Sequence, residues 1–297
     1  MNNTFLIIVH FGPVRLTVDC LKSIYQNHDA PLTILVNNSL DNSLPGIIKE
    51  FKNVLLLTPK TNLGFAGANN LALKKAIAGG AQNVILLNND TIIPAGFVAK
   101  ITDFAVSHPS VGIISPKIYF AKGFEYHKND YKKKDLGRVF WYAGGDIDWN
   151  NVYAKHRGVD QVDHGQFDTC LDTDFATGCA MLIKRQVIAK AGLINEKYFL
   201  YYEDVDYSLT VKLNGFKVVY FPGAFIWHKN AGSSQGPGSV LHQYYQTRNR
   251  LYFGFKFAPF RTKLALIRES FKHLAEGGVV RSAVIDFYFN KMGKARL

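Results

Sequence analysis

The first ninety residues constrain the fold most, because they alternate between two hydrophobic patterns. An unbroken apolar run at 5–9 and further short, mainly apolar strand-like segments at 32–36, 54–57 and 84–87 are separated by other patterns. Val14, Val18, Leu21, Ile24 and Tyr25 recur at helical spacing over 14–26. An apolar run without polar alternation suits a strand buried on both faces. Strand–helix–strand alternation then calls for a parallel sheet covered by helices. Residues 64–78 read as a small-residue helix closed by Gly79-Gly80, where glycine takes the left-handed C-terminal conformation. Such sheets bind ligands beyond the carboxyl ends of their strands. Asn37-Asn38-Ser39 and Asn88-Asn89-Asp90 fall at two of those ends.

Further along, 122–135 is polar and aperiodic, which predicts a surface loop. Residues 139–170, with Trp141, Gly144, Gly145, Trp149 and Gly158, read as short strands and turns. Order then returns with a strand at 180–183 and a helix at 186–191. A helix at about 205–213 ends at Asn214-Gly215, and a strand at 218–221 is closed by Pro222-Gly223. There is no internal repeat or low-complexity segment.

Composition narrows the function classes. A hydrophobic fraction of 47% with 22 Phe excludes a disordered chain. Cys20, Cys170 and Cys179 are too few for a disulfide scaffold and lack metal-ligand spacing. The net charge is +12, and its distribution is uneven. From residue 248 onward eleven Lys and Arg face three acids, so this tail carries +8 of the excess. Its basic residues are interleaved with Phe253, Phe255, Phe257, Phe260, Leu264 and Phe271. That pattern suits an anionic membrane surface, or equally a helix packed on the domain with its basic face in water. A nucleic-acid partner is not expected, because no helix-turn-helix or RNA-binding aromatic signature accompanies the charge. No basic segment precedes the run at 5–9, which is too short for a signal peptide. No run reaches the ~18 apolar residues of a membrane span. The expectation is a cytoplasmic protein that at most touches the inner face of a membrane.

Four segments carry candidate chemistry. Asn62 to Asn70 puts Gly64 and Gly67 at a helix entrance, where free N–H groups and the helix dipole favour an anion or polar ligand. The same glycines would also serve helix–sheet packing, and the spacing is neither a dinucleotide fingerprint nor a Walker loop. Asp90, after an apolar run, could hold Mg or Mn, which bridge to substrate phosphates with few protein ligands. An Asx turn is the plainer use of such a residue. Glu203, Asp204 and Asp206 place three carboxylates in four residues before a helix. That exceeds what capping needs and admits a base that takes a proton from a hydroxyl nucleophile. The aromatic residues at 198–202 could wall off a substrate. His228 is a candidate metal ligand, or a core or surface histidine.

In combination these segments resemble glycosyltransferase family 2, with its GT-A fold, and its bacterial rhamnosyltransferase-like branch. Residues 35–43 (LVNNSLDNS) look like the family's base-binding loop, and 62–70 (NLGFAGANN) like its N-x-G-F-A-G-x-N segment. Residues 87–91 (LNNDT) are similar to its degenerate D-x-D metal motif, and 177–182 (TGCAML) resemble its acceptor-side strand. Residues 198–206 (YFLYYEDVD) nearly reproduce the branch's own string, and His228 and 244–250 (YYQTRNR) also fit. The resemblance covers 5–253. Asn37 stands where the family usually has Asp, and His10-Phe11-Gly12 replaces its N-Y-N.

The resemblance implies an α/β fold of GT-A type, a nucleotide-sugar-binding fold with a mostly parallel central sheet flanked by helices and a C-terminal helical extension. It implies a catalytic domain at 1–240, with a nucleotide-binding half at about 1–115 and an acceptor-side half at about 116–240. Residues 241–297 would form a basic amphipathic helical region. Asp204 would be the catalytic base, with Glu203 beside it. Asn37, Asn38, Asp41, Asn62, Gly64, Gly67, Asn70, Asn89 and Asp90 would bind the nucleotide-sugar. Asp90 and His228 would hold a divalent cation, Mg or Mn. The activity implied is inverting transfer, with dTDP-L-rhamnose as first choice of donor, to a saccharide or lipid-linked saccharide in cell-surface polysaccharide synthesis. UDP-galactofuranose, UDP-galactose and UDP-N-acetylglucosamine remain alternative donors, and a non-catalytic saccharide- or partner-binding relative remains the alternative role.

Overall fold

A computed structural model describes residues 3–26, 30–230 and 238–295. Its first part follows the alternation in the sequence: β1 (Thr4–His10), α1 (Val14–Tyr25), β2 (Thr33–Asn37), α2 (Leu44–Ile47), β3 (Val54–Leu57), α3 (Gly64–Ala78) and β4 (Asn83–Asn88). The strands pair in parallel in the order β4-β1-β2-β3. Successive β1 residues point to opposite faces. Leu6 and Ile8 pack toward Leu21, Ile24, Phe97 and Ile101, whereas Phe5 and Ile7 pack toward Ala66, Ala72, Leu73 and Ala76. Leu6, Ile7 and Ile8 are fully buried, and each contributes about 1.5–3 kcal/mol relative to exposure. The alanines of α3 let that helix lie close on the sheet.

The sheet then widens. β5 (Thr91–Ile92), α4 (Phe97–Ser107), β6 (Val111–Phe120) and β7 (Phe140–Tyr142) follow. A two-stranded hairpin, β8 (Gly145–Asp148) and β9 (Tyr153–His156), stands apart from the main sheet. After β10 (Leu171–Asp172) come β11 (Ala180–Lys184), α5 (Arg185–Ala191), α6 (Glu203–Leu213) and β12 (Lys217–His228). The full order is β10-β12-β6-β11-β4-β1-β2-β3, with β5 on β12 and β7 on β6. β11 runs antiparallel between β4 and β6, and β12 runs parallel to β6. The result is the expected mostly parallel α/β sheet with helices on both faces.

One expectation needs correcting. The last strand does not close at Pro222-Gly223 but runs on to His228. Its register on β6 jumps from Phe221 opposite Pro116 to Phe225 opposite Lys117. Residues 222–224 therefore form a bulge, where proline's missing N–H breaks no ladder bond. Residues 122–135 contain only turns, as expected.

The chain ends in α7 (Val240–Phe257), α8 (Phe260–Glu276) and α9 (Gly278–Tyr288), with α9 packed on both α7 and α8. Among the described residues no helix is long and apolar enough to cross a membrane.

Candidate active site

A cavity of about 440 Å³ opens at the carboxyl ends of the central strands. Two acidic centres line it. The first is built by strand ends. β4 delivers Asn88, Asn89 and Asp90, and the bulged β12 delivers His228 opposite Thr91. His228 Nε2 lies 3.0 Å from Asp90 Oδ1, and both residues are buried. Burial by itself lowers the His228 pKa. Asp90, through charge and a hydrogen bond, and Cys179 more than reverse this and hold the imidazole protonated well above its usual value.

The pair can take a cation shared with a substrate once that cation displaces the imidazole proton, because only neutral imidazole ligates a metal. Among the described residues His228 Nδ1 is buried without a hydrogen-bond partner, and Asp90 supplies hard carboxylate oxygen. Among the described residues no three His, Cys, Asp or Glu are grouped to surround an ion. Two protein ligands suffice for Mg or Mn when phosphate and water complete the shell.

The second centre opens α6. Asp204 is partly exposed to the cavity, and both its oxygens are oriented. Oδ2 accepts from the Gly178 N–H at 2.8 Å and Oδ1 from the Val205 N–H at 2.9 Å. Glu203 is buried, and among the described residues its Oε2 has no hydrogen-bond partner. Burial, and then the Asp204 charge, push the Glu203 carboxyl well above the usual range. Burial also raises Asp204, but the two N–H donors oppose it. The pair therefore shares its charge unequally, with the proton on Glu203 and the charge on Asp204. Asp206 turns inward instead, to the Tyr198 hydroxyl at 2.8 Å and Lys256 at 2.7 Å. Gly178 and Cys179 link the two centres, one bonded to Asp204 and the other beside His228.

The loop before α6 is strained. Phe199, Tyr201 and Tyr202 have φ of 64°, 69° and 70°, a left-handed region that costs non-glycine residues about 1–3 kcal/mol each. Side chains from α7 hold it there. The Asn249 amide reaches the carbonyls of Tyr198 (2.9 Å), Leu200 (2.7 Å) and Tyr201 (3.0 Å), and Arg248 reaches Tyr198 O at 3.2 Å. Asn249 and Arg248 are fully buried. On the other side Phe199 O accepts from the Phe65 N–H at 2.8 Å, an approach that a Cβ on Gly64 would block.

The residues expected around the nucleotide-sugar divide. Asn38, Asn62, Gly64, Asn89 and Asp90 line the cavity. Asn37, Asp41, Gly67 and Asn70 do not. Asn37 closes a turn, donating to Asp41 O (2.8 Å) and accepting from Asp41 N–H (3.0 Å). The Asp41 carboxylate is exposed and caps Ser43. Asn70 braces α3 against Ile194 and Glu196. The expectation of free N–H groups at the α3 entrance is also corrected. Leu63 donates to Asn38 Oδ1, Gly64 to Asn62 Oδ1 and Phe65 to Phe199 O. Gly64 is needed for close approach to the strained loop, so it does not open an anion cradle.

The profile of the family described as "Glycosyltransferase like family 2" matches residues 3–254. The chain belongs to that family. Among its relatives is the N-acetylglucosaminyl-diphospho-decaprenol L-rhamnosyltransferase of Mycobacterium tuberculosis, 25% identical over 261 residues that cover 82% of this chain and 81% of the relative. Another is the dTDP-rhamnosyl transferase RfbF of Shigella flexneri, 20% identical over 255 residues, covering 84% and 78%. This is thus a rhamnosyltransferase-like glycosyltransferase. Its fold matches that of GalNAc-T7, solved with UDP, GalNAc and Mn2+, at a TM-score of 0.64 and 14% identity. That match covers 97% of this chain and 55% of the other, so the present chain spans about half of its length. The shared architecture is the GT-A fold.

The glycosyltransferase cavity also contains residues that motif reading did not single out. Trp141, Tyr153 and His156 come from β7 and the β8–β9 hairpin. Burial, with His228 adding to it, lowers the His156 pKa to about 4, so the ring is neutral. Its Nδ1 lies 3.3 Å from Trp141 O and must donate there, which makes Nε2 an acceptor. The Trp141 ring lies edge-on to both His156 and His228, with centroids 4.4 and 4.5 Å away. The paired Trp and His were the available sequence signal, in a segment whose pattern gave only short strands.

Proposed function

We propose that this glycosyltransferase moves L-rhamnose from dTDP-L-rhamnose to a saccharide on a lipid carrier, with inversion, during synthesis of a cell-surface polysaccharide. One observation carries the mechanism: a single cavity holds Asp204, a carboxylate oriented by two backbone N–H groups, and the Asp90–His228 pair. The names of the two relatives support the sugar, and that of the mycobacterial one supports the lipid diphosphate acceptor.

Asp204 takes the proton of the acceptor hydroxyl as its oxygen bonds to the anomeric carbon. The bond from that carbon to the diphosphate oxygen breaks on the opposite side, and the nucleoside diphosphate leaves with the electron pair. One displacement inverts the carbon and needs no nucleophilic Ser or Cys. Glu203, kept neutral, can donate its proton in a hydrogen bond to the acceptor without adding negative charge beside the base. Asp90 and His228 would hold the Mg or Mn, which when bound neutralises charge on the leaving diphosphate. Phe199, Tyr201 and Tyr202 exclude water from that step. The reading puts the enzyme in the cytoplasm, where sugar nucleotides are made, at the inner face of the membrane that carries such acceptors.

The deciding experiment is a transfer and donor-hydrolysis screen with Mg and Mn. It compares dTDP-L-rhamnose with UDP-galactofuranose, UDP-galactose and UDP-N-acetylglucosamine. Turnover of dTDP-L-rhamnose above the three UDP-sugars is expected, and preference for a UDP-sugar overturns the donor assignment.

A further inference from the structure

We infer that the outward face of α8 seats on an anionic lipid bilayer. The inference is independent of the donor and acceptor assigned above. It begins with a division among the basic residues of the tail, where the structure corrects the picture of one basic helix. Those on α7 face inward. Arg248 is buried against the 198 loop, Arg250 forms a two-pronged pair with Glu269 at 2.8 and 2.9 Å, and Lys256 pairs with Asp206. These cations hold the fold together and are not available to a partner.

α8 differs. It docks inward through Thr262, Leu266 and Ser270. Its outward positions, Arg261, Leu264, Arg268, Phe271, Lys272 and Ala275, recur at intervals of three and four, which puts them on one face. Phe260 at its start is 74% exposed, Phe271 69% and Leu264 50%. The two phenylalanines stand about 16 Å apart along the axis at the usual helical rise. Glu269 and Asp286 are engaged away from this face, whereas Glu276 lies exposed at its edge, paired with His273. Glu269 binds Arg250 and His273, Glu276 binds His273, and Asp286 binds the Tyr244 hydroxyl and Lys291. Among the described residues no carboxylate lies within ion-pair reach of Arg261, Arg268 or Lys272.

The face thus carries three unpaired cations, one acid at its edge already paired with His273, and large exposed apolar side chains. Anionic headgroups match the cations, and the acyl boundary beneath them takes the rings. A polyanion in water would satisfy the arginines but leave Phe260, Leu264 and Phe271 exposed. A second copy of the chain would set cation against cation.

The test is sedimentation of the full chain with vesicles, without donor or acceptor, so its outcome does not depend on the transferase reading. The chain should sediment with phosphatidylcholine vesicles containing about one-third phosphatidylglycerol and stay in solution with phosphatidylcholine alone. High salt should release it. The Arg261→Ser/Arg268→Ser/Lys272→Ser variant should partition about a hundredfold less, given the usual contribution of each basic residue near such a surface. Phe260→Ser/Phe271→Ser should also lose binding while its melting temperature stays unchanged, since both rings are exposed. The inference is overturned if wild type fails to bind anionic vesicles, or if the charge variant binds as well as wild type. It is also overturned if sedimentation equilibrium shows a dimer that Phe260→Ser/Phe271→Ser dissociates, which would assign the face to a second copy.

Discussion

Asp90 and Asp204 line the same cavity, yet Asp90 faces a protonated imidazole whereas Asp204 faces a second carboxyl. Each arrangement sets the charge its site can accept. At Asp90 the His228 charge balances the carboxylate until a cation arriving with phosphate takes the place of the imidazole proton. At Asp204, among the described residues, no Lys, Arg or His forms an ion pair, so burial and mutual repulsion hold protons more tightly than free carboxylates do. Two backbone N–H groups decide which of the pair stays charged. The comparison teaches that two acids of one cavity diverge through their partners: one site would handle a leaving group and the other a proton.

The largest expected effect tests the proton-handling end. Asp204→Asn keeps the shape and at least one backbone hydrogen bond but cannot accept the hydroxyl proton. kcat should fall by roughly 10²–10⁴, the usual contribution of general-base catalysis, with nucleotide affinity retained by calorimetry. Full activity in this variant would remove Asp204 from the role of base. The acid limb of the wild-type kcat profile should also lie above the ordinary carboxylate range, because burial raises the Asp204 pKa and the base works only when ionised.

The other end should respond to its cation. Treatment with a chelator is expected to lower turnover by about a hundredfold, in line with a lost Lewis acid, and Mg or Mn should restore it. The melting temperature should change little, since only Asp90 and His228 at the cavity wall would hold the ion. If His228→Asn leaves the metal concentration needed for half-maximal activity unaltered, the two-ligand site is wrong and the contrast between the ends fails.

A smaller effect is expected from Asn249→Ala, which removes the amide bridging three carbonyls of the strained loop. Asn249 touches no reacting atom in this scheme, so it is a positioning residue. The expected signature is a drop of about tenfold in kcat, the acceptor KM rising and nucleotide affinity unchanged. Asn249→Asp should be worse than Ala, because a carboxylate would face three carbonyl oxygens. A uniform loss of stability with kcat intact would make Asn249 structural only.

How much of this was legible in the sequence follows from where each interaction partner lies. β1 to β4 were readable because their runs are short and mainly apolar and the helices between them are local. β6 was not, because Ser115-Pro116-Lys117 interrupts its run. Lys117 is tolerated inside the sheet because Asp163 and Asp168, far along the chain, pair with it at 2.9 and 2.5 Å. The strand carrying His228 read as ending at Pro222-Gly223 because a bulge has no sequence period. Asp90, Glu203, Asp204 and His228 were readable as candidates because each is a polar residue at the end of an apolar or aromatic run. Asn37 and Asn70 looked equally suitable, but their amides serve the protein's own backbone. Asn249 lies inside a helix, and its importance appears only when the 198 loop folds against it.

The smallest expected effect concerns the partition of charge within the Glu203–Asp204 pair. Glu203 holds its proton in the fold because burial and Asp204 raise its pKa, whereas in the unfolded chain it ionises in the ordinary carboxylate range. Between those two values unfolding releases a proton, so wild-type stability falls as pH rises. Glu203→Gln keeps the neutral shape and lacks this loss. The melting temperatures of variant and wild type should therefore run parallel below the ordinary carboxylate range and separate above it, with the variant increasingly the more stable. For a chain of this size each kcal/mol corresponds to roughly 2 °C, so the sign and the pH trend carry the test more than the amplitude. Turnover should fall far less than in Asp204→Asn, because Gln can still donate to the acceptor. If the variant melts lower than wild type at neutral pH, Glu203 is ionised in the fold, and the two carboxyls share their charge differently from the arrangement described here.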